Sequence, residues 1–303
     1  MFLSMPKEKP ILEDFMTGRI IKTALLLLFV SQALLFSAGT GGIKWQSDWK
    51  TTLKTAVENK QPVFIDFYTD WCPPCKRLAA ETFVDKKMID YFKKENFVML
   101  KVNPEKDRAA ESTFKVYSYP TLVIFKTDGS EWDRMLGFKN THEMITALDN
   151  LKKGIGTLDD LLGKYKKIDK KDKSDKKFEI MFGINDKYMA RADYTDALKM
   201  IDRIIELDKD NAKKKASAAM FQRGYVYYKW KKFQKAIDAL VSIHTVYPQS
   251  EEAEGGYAAA AYYSEKLDNP ALTLKLMKAF MKKFPNSKYI KRFEKKIKKL
   301  EEN

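Results

Sequence analysis

Hydrophobic residues follow different patterns in three parts of the chain. Residues 23–38 form one uncharged apolar stretch, residues 62–68 form a short β-branched and aromatic run, and residues beyond 178 repeat apolar positions at helical spacing. A short run of this kind is typical of a strand that is buried on both faces. Helical spacing instead predicts amphipathic helices. The pattern therefore predicts a strand-containing unit followed by an all-helical unit.

The first apolar stretch has the pattern of an export segment. Four basic residues precede it: Lys7, Lys9, Arg19 and Lys22. Basic residues followed by an apolar region are typical of a secretory signal or an uncleaved anchor, with the basic side in the cytoplasm. We expect residues 1–43 to export the chain to the periplasm or another extracytoplasmic space. The segment would either be cleaved or anchor the chain in the inner membrane through residues 20–38. The alternative is a buried helix of a cytosolic domain, but such helices alternate apolar and polar faces.

Composition and charge narrow the class of protein. A chain of 303 residues, 45% hydrophobic and 32% charged, fits an ordered protein of about two domains and excludes collagen, a low-complexity polymer and a multi-span membrane protein. The formal net charge is +15, and most of the excess lies beyond residue 153. A basic surface attracts nucleic acid, anionic lipid or acidic proteins. Export argues against nucleic acid as a partner.

The two cysteines, Cys72 and Cys75, directly follow the strand predicted over residues 62–68. Helix-forming residues come next, and proline is tolerated in the first turn of a helix. Cys72 is therefore predicted at a helix N-terminus, where the helix dipole and unpaired amides stabilise a thiolate. We interpret Cys72 as an exposed nucleophile that attacks a disulfide, and Cys75, one turn later, as the resolving thiol.

Two other uses of the cysteine pair remain open. A zinc half-site shared between chains would need further histidine or cysteine ligands, which the sequence does not supply. An inert structural disulfide would close a loop too short to restrict the unfolded chain much. We predict no metal and no cofactor beyond a redox-active Cys72–Cys75 disulfide. The two histidines, His142 and His244, have no catalytic partners in the sequence and are interpreted as structural or exposed.

The motif DFYTDWCPPCK over residues 66–76 resembles the active-site signature of the thioredoxin superfamily. Further motifs resemble the family in order: a strand over 97–103, a Tyr-Pro-Thr loop over 119–121, a hairpin, and a closing helix. The resemblance implies an α/β thioredoxin-like fold over residues 44–153, with a central mixed sheet flanked by helices. It also implies a protein thiol-disulfide oxidoreductase, with thiol- or disulfide-containing proteins as substrates and an upstream dithiol as electron donor.

The resemblance also assigns catalytic roles beyond the cysteines. Asp66 would be a buried acid that relays a proton to or from Cys75, modulated by Lys101 on the neighbouring strand. The alternative for Asp66 is a solvent-facing residue at the end of the strand. Two departures from the family pattern leave the direction of electron flow open: Pro-Pro stands between the cysteines, and Ala80 lies near the place of the family's kinking proline.

The substrate-binding residues implied by the resemblance are Trp71, Tyr119, Pro120 and Thr121. Pro120, if its peptide bond is cis, would place the Tyr119 backbone opposite Cys72, where an extended substrate can pair with it. Trp71 would shield the thiolate, or would simply pack against its neighbours.

The C-terminal half is predicted to hold a polar linker and a helical repeat. Residues 154–177 are rich in lysine and aspartate and should bury little, so we expect a mobile or partly helical connector. Residues 178–303 contain small residues at equivalent offsets and resemble tetratricopeptide helix-turn-helix repeats. Such repeats bind protein segments, so the resemblance implies a client or partner on this surface. Six aromatic residues could line a groove or fill the inter-helix core: Tyr225, Tyr228, Trp230, Tyr257, Tyr262 and Tyr263.

The last helix, around residues 290–300, is lysine-rich with one apolar stripe. It would be a solvated cap, or a surface for an anionic membrane or an acidic partner. The competing hypothesis for the whole chain is a redox-inert scaffold or adaptor of the cell envelope. Retention of both cysteines beside the acid Asp66 argues against that hypothesis, because an adaptor needs none of the three.

Overall fold

The computed structural model describes residues 42–302. The chain divides into two compact units, with the boundary between Ile155 and Gly156. The apolar stretch 23–38, predicted to be a leader or an anchor, lies outside the described residues. Within residues 42–302, every helix is too short or too polar to cross a bilayer.

The first unit is built on a mixed five-stranded sheet with the order β1-β3-β2-β4-β5. The strands are β1 (Trp45–Gln46), β2 (Val63–Phe67), β3 (Val98–Val102), β4 (Thr121–Phe125) and β5 (Glu131–Leu136). Strand β2 runs parallel to β3 and antiparallel to β4, and every residue of β2 and β4 is buried. These central strands have neighbours on both sides, so their backbone groups are paired and their side chains are covered on both faces.

Five helices cover the two faces of the sheet. They are α1 (Trp49–Glu58), α2 (Pro73–Arg77), α3 (Lys86–Lys94), α4 (Arg108–Phe114) and α5 (Thr141–Lys152). Because side chains alternate along a strand, Ile65 and Phe67 pack with α1 and α4, while Phe64 packs with α3 and α5. Asp66 shares the face of Phe64 and lies within an apolar layer.

The fold class predicted from the sequence is confirmed for this unit. The run predicted to be a buried strand over 62–68 is β2, and the run over 97–103 contains its parallel neighbour β3. The predicted hairpin is β4 and β5, and the closing helix is α5. Asn140 begins α5 with a reciprocal capping box to Glu143, which satisfies amides that have no partner within the helix.

The second unit is helical throughout. It contains α6 (Leu158–Lys167), α7 (Asp175–Ala190), α8 (Tyr194–Leu207), α9 (Lys215–Lys229), α10 (Phe233–Val246), α11 (Glu251–Tyr263), α12 (Pro270–Lys283) and α13 (Ile290–Glu301). Consecutive helices pack against each other. Ala197, Ala236 and Thr273 lie at equivalent positions of α8, α10 and α12, and all three are buried, although Thr273 matches the small residue of the repeat poorly in sequence.

Glycines set how closely these helices approach. A Cβ added at Gly224 of α9 would collide with the Leu240 side chain of α10. One added at Gly256 of α11 would lie 2.9 Å from Ile243 Cδ1 and 3.0 Å from the Leu240 carbonyl oxygen, whereas the adjacent Gly255 has room for it. Helix packing in this unit therefore depends on glycine at two specific crossings.

The segment predicted to be a mobile or partly helical connector, residues 154–177, is partly helical. It contains α6, whose apolar side chains pack against the core around Phe178 and Met181. Its apolar positions are Leu158, Leu161, Leu162 and Tyr165, which recur at helical spacing between the lysines and form one face. Lys177 is itself buried. Its ammonium donates to the carbonyl oxygens of Asp169 and Lys170, each at 2.7 Å, and these bonds replace hydrogen bonds to water.

Candidate active site

The cysteine pair lies where a strand ends and a helix begins. Cys72 is the N-cap residue of α2, and Pro73 and Pro74 occupy the first turn, where missing amides cost nothing. The Cys75 amide donates to Cys72 Sγ at 3.2 Å. The two cysteines are joined in a disulfide, with their Cα atoms 5.3 Å apart. The Cys75 amide and the N-terminal end of the helix therefore point at the sulfur of Cys72, at the helix position that the sequence predicted.

Cys72 is less exposed than expected. In the disulfide form its residue is only 2% exposed, and Cys75 is 4% exposed. The bond between the sulfurs and the Cys75 amide turn Cys72 Sγ toward the protein. The prediction of an exposed sulfur was therefore wrong for the oxidised state, and the exposed side chain beside it is instead Trp71, at 62%.

The helix that carries Cys75 widens after one turn. Residues Leu78–Thr82 follow α2 as a π-helical turn, and the Phe83 amide donates to the Leu78 carbonyl at 2.9 Å. Ala80 lies in this turn, near the place where the sequence lacks the family's proline. Wider turns of this kind bend helices and are common near functional sites.

Asp66 is a buried acid rather than a solvent-facing one. It is 1% exposed, and its register partners are Lys101 on β3 and Leu122 on β4. Oδ2 lies 3.8 Å from Lys101 Nζ, while Oδ1 accepts no hydrogen bond from the described residues. Burial raises the pKa of Asp66 to about 7, and the Lys101 ammonium offsets part of that rise. Asp66 can therefore hold or release a proton near neutral pH.

Two of the predicted substrate-binding residues contact each other at the surface. The rings of Trp71 and Tyr119 meet edge-to-face with centroids 6.1 Å apart, and Trp71 Nε1 donates to Glu105 Oε1 at 2.7 Å. The Tyr119–Pro120 peptide bond is cis. Pro120 and Thr121 are both buried. The Thr121 hydroxyl donates to the Ser118 carbonyl at 2.7 Å, which places it behind the surface formed by the two rings.

A sequence profile described as thioredoxin matches residues 45–150. A thioredoxin of Staphylococcus aureus is 34% identical over 103 residues, which cover 34% of this chain and 89% of that protein. The chain belongs to the thioredoxin family. Thioredoxin H5 of Arabidopsis thaliana is 36% identical over 89 residues, covering 29% of this chain and 70% of that protein. A solved structure described as DsbH oxidoreductase is 16% identical, covers 46% of this chain and 98% of that chain, and gives a TM-score of 0.34.

The thioredoxin-family chain is a thiol-disulfide oxidoreductase, and its thioredoxin domain carries the cysteine pair. The fold, the family and the reaction class are therefore confirmed. The roles assigned to Asp66, Lys101 and the surface formed by Trp71 and Tyr119 remain predictions.

The sequence analysis missed the loop that follows β3. Asn103 Nδ2 donates to Asp70 Oδ2 at 3.4 Å, and Lys106 forms an ion pair with Asp70 at 3.2 Å. Together with Glu105, this loop fixes the segment that precedes Cys72. Its polar residues directly after a parallel strand were an available signal, because carboxyl ends of parallel strands commonly build sites in α/β folds.

Replacing Asp66 by asparagine tests the burial of its charge. A carboxyl with a raised pKa in the folded state stabilises the fold while protonated, and this contribution is lost as the pH rises from its ordinary pKa of 3.8 through about 7. The amide of Asp66→Asn does not titrate. The free energy of unfolding of this variant should therefore rise relative to that of the wild type by about 3 to 4 kcal/mol between about pH 4 and pH 8. Urea unfolding of the oxidised proteins measures this difference, and parallel pH profiles would contradict it.

Proposed function

We propose that this protein is an exported oxidoreductase that reduces or exchanges disulfides of protein clients through Cys72 and Cys75. The observation that carries the proposal is a Cys72–Cys75 disulfide at a helix N-terminus, in a domain whose preceding strand β2 holds the buried carboxyl of Asp66, with its pKa raised to about 7. A structural disulfide needs no proton acceptor, whereas an exchange reaction must move a proton at the resolving thiol.

The reduced protein would act in two steps. The Cys72 thiolate attacks one sulfur of the client disulfide, forming a mixed disulfide and releasing the other client sulfur as a thiolate. Asp66 then takes the proton of Cys75, whose sulfur attacks Cys72 Sγ and frees the second client thiol. Two electrons pass to the client, and the Cys72–Cys75 disulfide is left oxidised. An upstream dithiol donor would return it to the reduced state.

The client would lie across Trp71 and Tyr119. These rings offer an apolar surface beside the cysteines, and the Tyr119 backbone makes no hydrogen bond to a described residue. Pairing of an extended client segment with that backbone would supply affinity without demanding a particular client sequence. Pro120 and Thr121 would support this loop from below.

Replacing Cys75 by serine should stop the reaction at the mixed disulfide. Without the resolving sulfur, Cys72 stays bonded to the client, and a thiol-sensitive adduct should appear on non-reducing gels of cells that express Cys75→Ser. The matched control is Cys72→Ser, which removes the attacking sulfur and should give no adduct. The adaptor hypothesis predicts no adduct with either variant. It also predicts normal function of a Cys72→Ala/Cys75→Ala variant.

The helical unit would hold the client or a partner, and we propose that it is a tetratricopeptide-like array. Its aromatic residues fall into two groups. Tyr257 is buried against Phe280 and Phe284, so it belongs to the core. Tyr225 of α9 is 43% exposed, yet surrounding atoms raise its pKa by desolvation. We propose that this partly shielded ring belongs to a client-binding recess.

The recess includes two further tyrosines and a lysine. Tyr228 and Tyr263 stack with their ring centroids 3.9 Å apart, and burial raises the pKa of Tyr263 to about 12. Lys229 Nζ lies 5.7 Å from the Tyr225 ring. Aromatic side chains beside a lysine stem provide apolar area with polar ends, which suits a protein segment.

Shortening Tyr225 should weaken client capture without changing the chemistry. In the Cys75→Ser background, Tyr225→Ser should lower the yield of trapped client several-fold, by about 1 kcal/mol of binding or more. The control is Val246→Ser at the end of α10, which removes another exposed apolar side chain, 52% exposed. Equal trapping by the two variants would contradict a client-binding recess.

Export is proposed from the basic and apolar N-terminal segment of the sequence. In intact cells, a membrane-impermeant maleimide should label Cys72 of the Cys75→Ser variant after the mixed disulfide is reduced. Deleting residues 20–38 should abolish the labelling while a permeant maleimide still reacts. Labelling by the permeant reagent alone in the full chain would contradict export.

A further inference from the structure

The ammonium of Lys101 lies between two aromatic rings. Its Nζ is 4.5 Å from the centroid of the Tyr68 ring and 5.5 Å from that of Trp45. It donates no hydrogen bond to a described residue, and its distance of 3.8 Å from Asp66 Oδ2 is too long for one. Within residues 42–302, the Lys101 ammonium is therefore positioned by the Asp66 charge at 3.8 Å and by the faces of the two rings, without a hydrogen bond.

A restraint is needed because the Lys101 side chain can adopt another position. The Lys101 side chain is 26% exposed, so its ammonium can turn into solvent. A flexible lysine loses conformational entropy when it is held in one place, and an ion pair without a hydrogen bond at a partly exposed site compensates little of that loss. A cation over an aromatic face gains attraction without losing all of its hydration.

Both rings are themselves fixed by the fold. Trp45 lies on β1 opposite Met99 of β3, and its ring meets the Phe83 ring edge-to-face at 5.0 Å. Phe83 directly follows the π-helical turn of the helix that carries Cys75. Tyr68 directly follows β2, and its amide donates to the Val102 carbonyl at 3.0 Å. The two rings therefore approach Lys101 from separate elements of the sheet.

We propose that Trp45 and Tyr68 are positioning residues, whose rings hold the Lys101 ammonium beside Asp66 and thereby set the pH at which Asp66 exchanges its proton with Cys75. The inference rests on the proposed proton relay by Asp66. It adds that the relay is tuned by two aromatic side chains that touch neither the client nor the cysteines.

Few groups other than Lys101 act on the pKa of Asp66. Among the described residues, Lys101 is the charged side chain that acts on the Asp66 pKa, which it lowers. The register partner from β4 is the apolar Leu122. The helix above contributes Cys72 and Cys75, which are disulfide-bonded and do not titrate in this state. Displacing the ammonium should therefore raise the pKa of Asp66.

The test compares Tyr68→Leu, which removes the ring, with Tyr68→Phe, which keeps it. Two readouts are recorded against pH: the carboxyl carbon resonance of Asp66 in oxidised protein, and kcat/KM for reduction of insulin disulfides. Tyr68→Leu should move both midpoints upward by about half a pH unit. Tyr68→Phe should match wild type. Trp45→Leu is a second variant with the same expected direction, should Tyr68→Leu fail to fold.

The decisive measurement is made without the lysine charge. Lys101→Met should move the midpoints upward by about one to three pH units, and adding Tyr68→Leu to it should change nothing further. The control Lys50→Met removes a lysine that also lies over a tryptophan, 5.4 Å from the Trp49 ring centroid. It should leave both profiles unchanged.

The outcomes separate this inference from the proposed relay. A shift with Lys101→Met but none with Tyr68→Leu or Trp45→Leu overturns the positioning role and leaves the relay intact. A Tyr68→Leu shift that persists in the Lys101→Met background also overturns it, because the ring would then act without the lysine. A catalytic midpoint that fails to follow the Asp66 resonance in every variant overturns the relay itself.

Discussion

A carboxyl group inside an apolar layer is the constraint on which the proposed proton relay depends. Asp66 occupies a central strand, where charge is costly and where its neighbour Lys101 compensates that cost only in part. The resulting pKa of about 7 lets Asp66 take up or release a proton near neutral pH. The same burial lowers the stability of the fold at neutral pH, because the unfolded chain ionises this carboxyl at lower pH than the folded chain does.

The sheet and helix order make that burial possible. Strand β2 is flanked by β3 and β4, so its alternating side chains are divided between two apolar layers, and Asp66 faces the layer that includes Leu78. The strand then ends directly at the segment before Cys72. One short run of sequence thus supplies the buried acid, the turn and the start of the helix, and the loop after β3 fixes this run from the side through Glu105 and Lys106.

Much of this arrangement was readable from the sequence. The apolar run over 62–68 and the motif over 66–76 predicted the strand, the helix start and the cysteine pair because each depends on neighbouring residues. The individual partners of Asp70 and Trp71 were not predicted. Polar residues after β3 indicated a loop near the site, but its contacts depend on the parallel pairing of β2 and β3. The packing of α6 against the helical core was not predicted, because lysines separate its apolar residues. The low exposure of Cys72 was not predicted, because burial is set by the packing of the whole domain rather than by the motif.

The low exposure of Cys72 affects how a reductant reaches the disulfide. A reductant must approach a disulfide sulfur along the line of the bond, so access governs the rate as much as the driving force does. Because Cys72 is 2% exposed and Trp71 lies beside it, small thiols in solution have little access to the disulfide. A protein donor that contacts the surface around Trp71 could displace this cover. Low exposure of the disulfide would therefore favour the proposed dithiol protein over small thiols as the reductant.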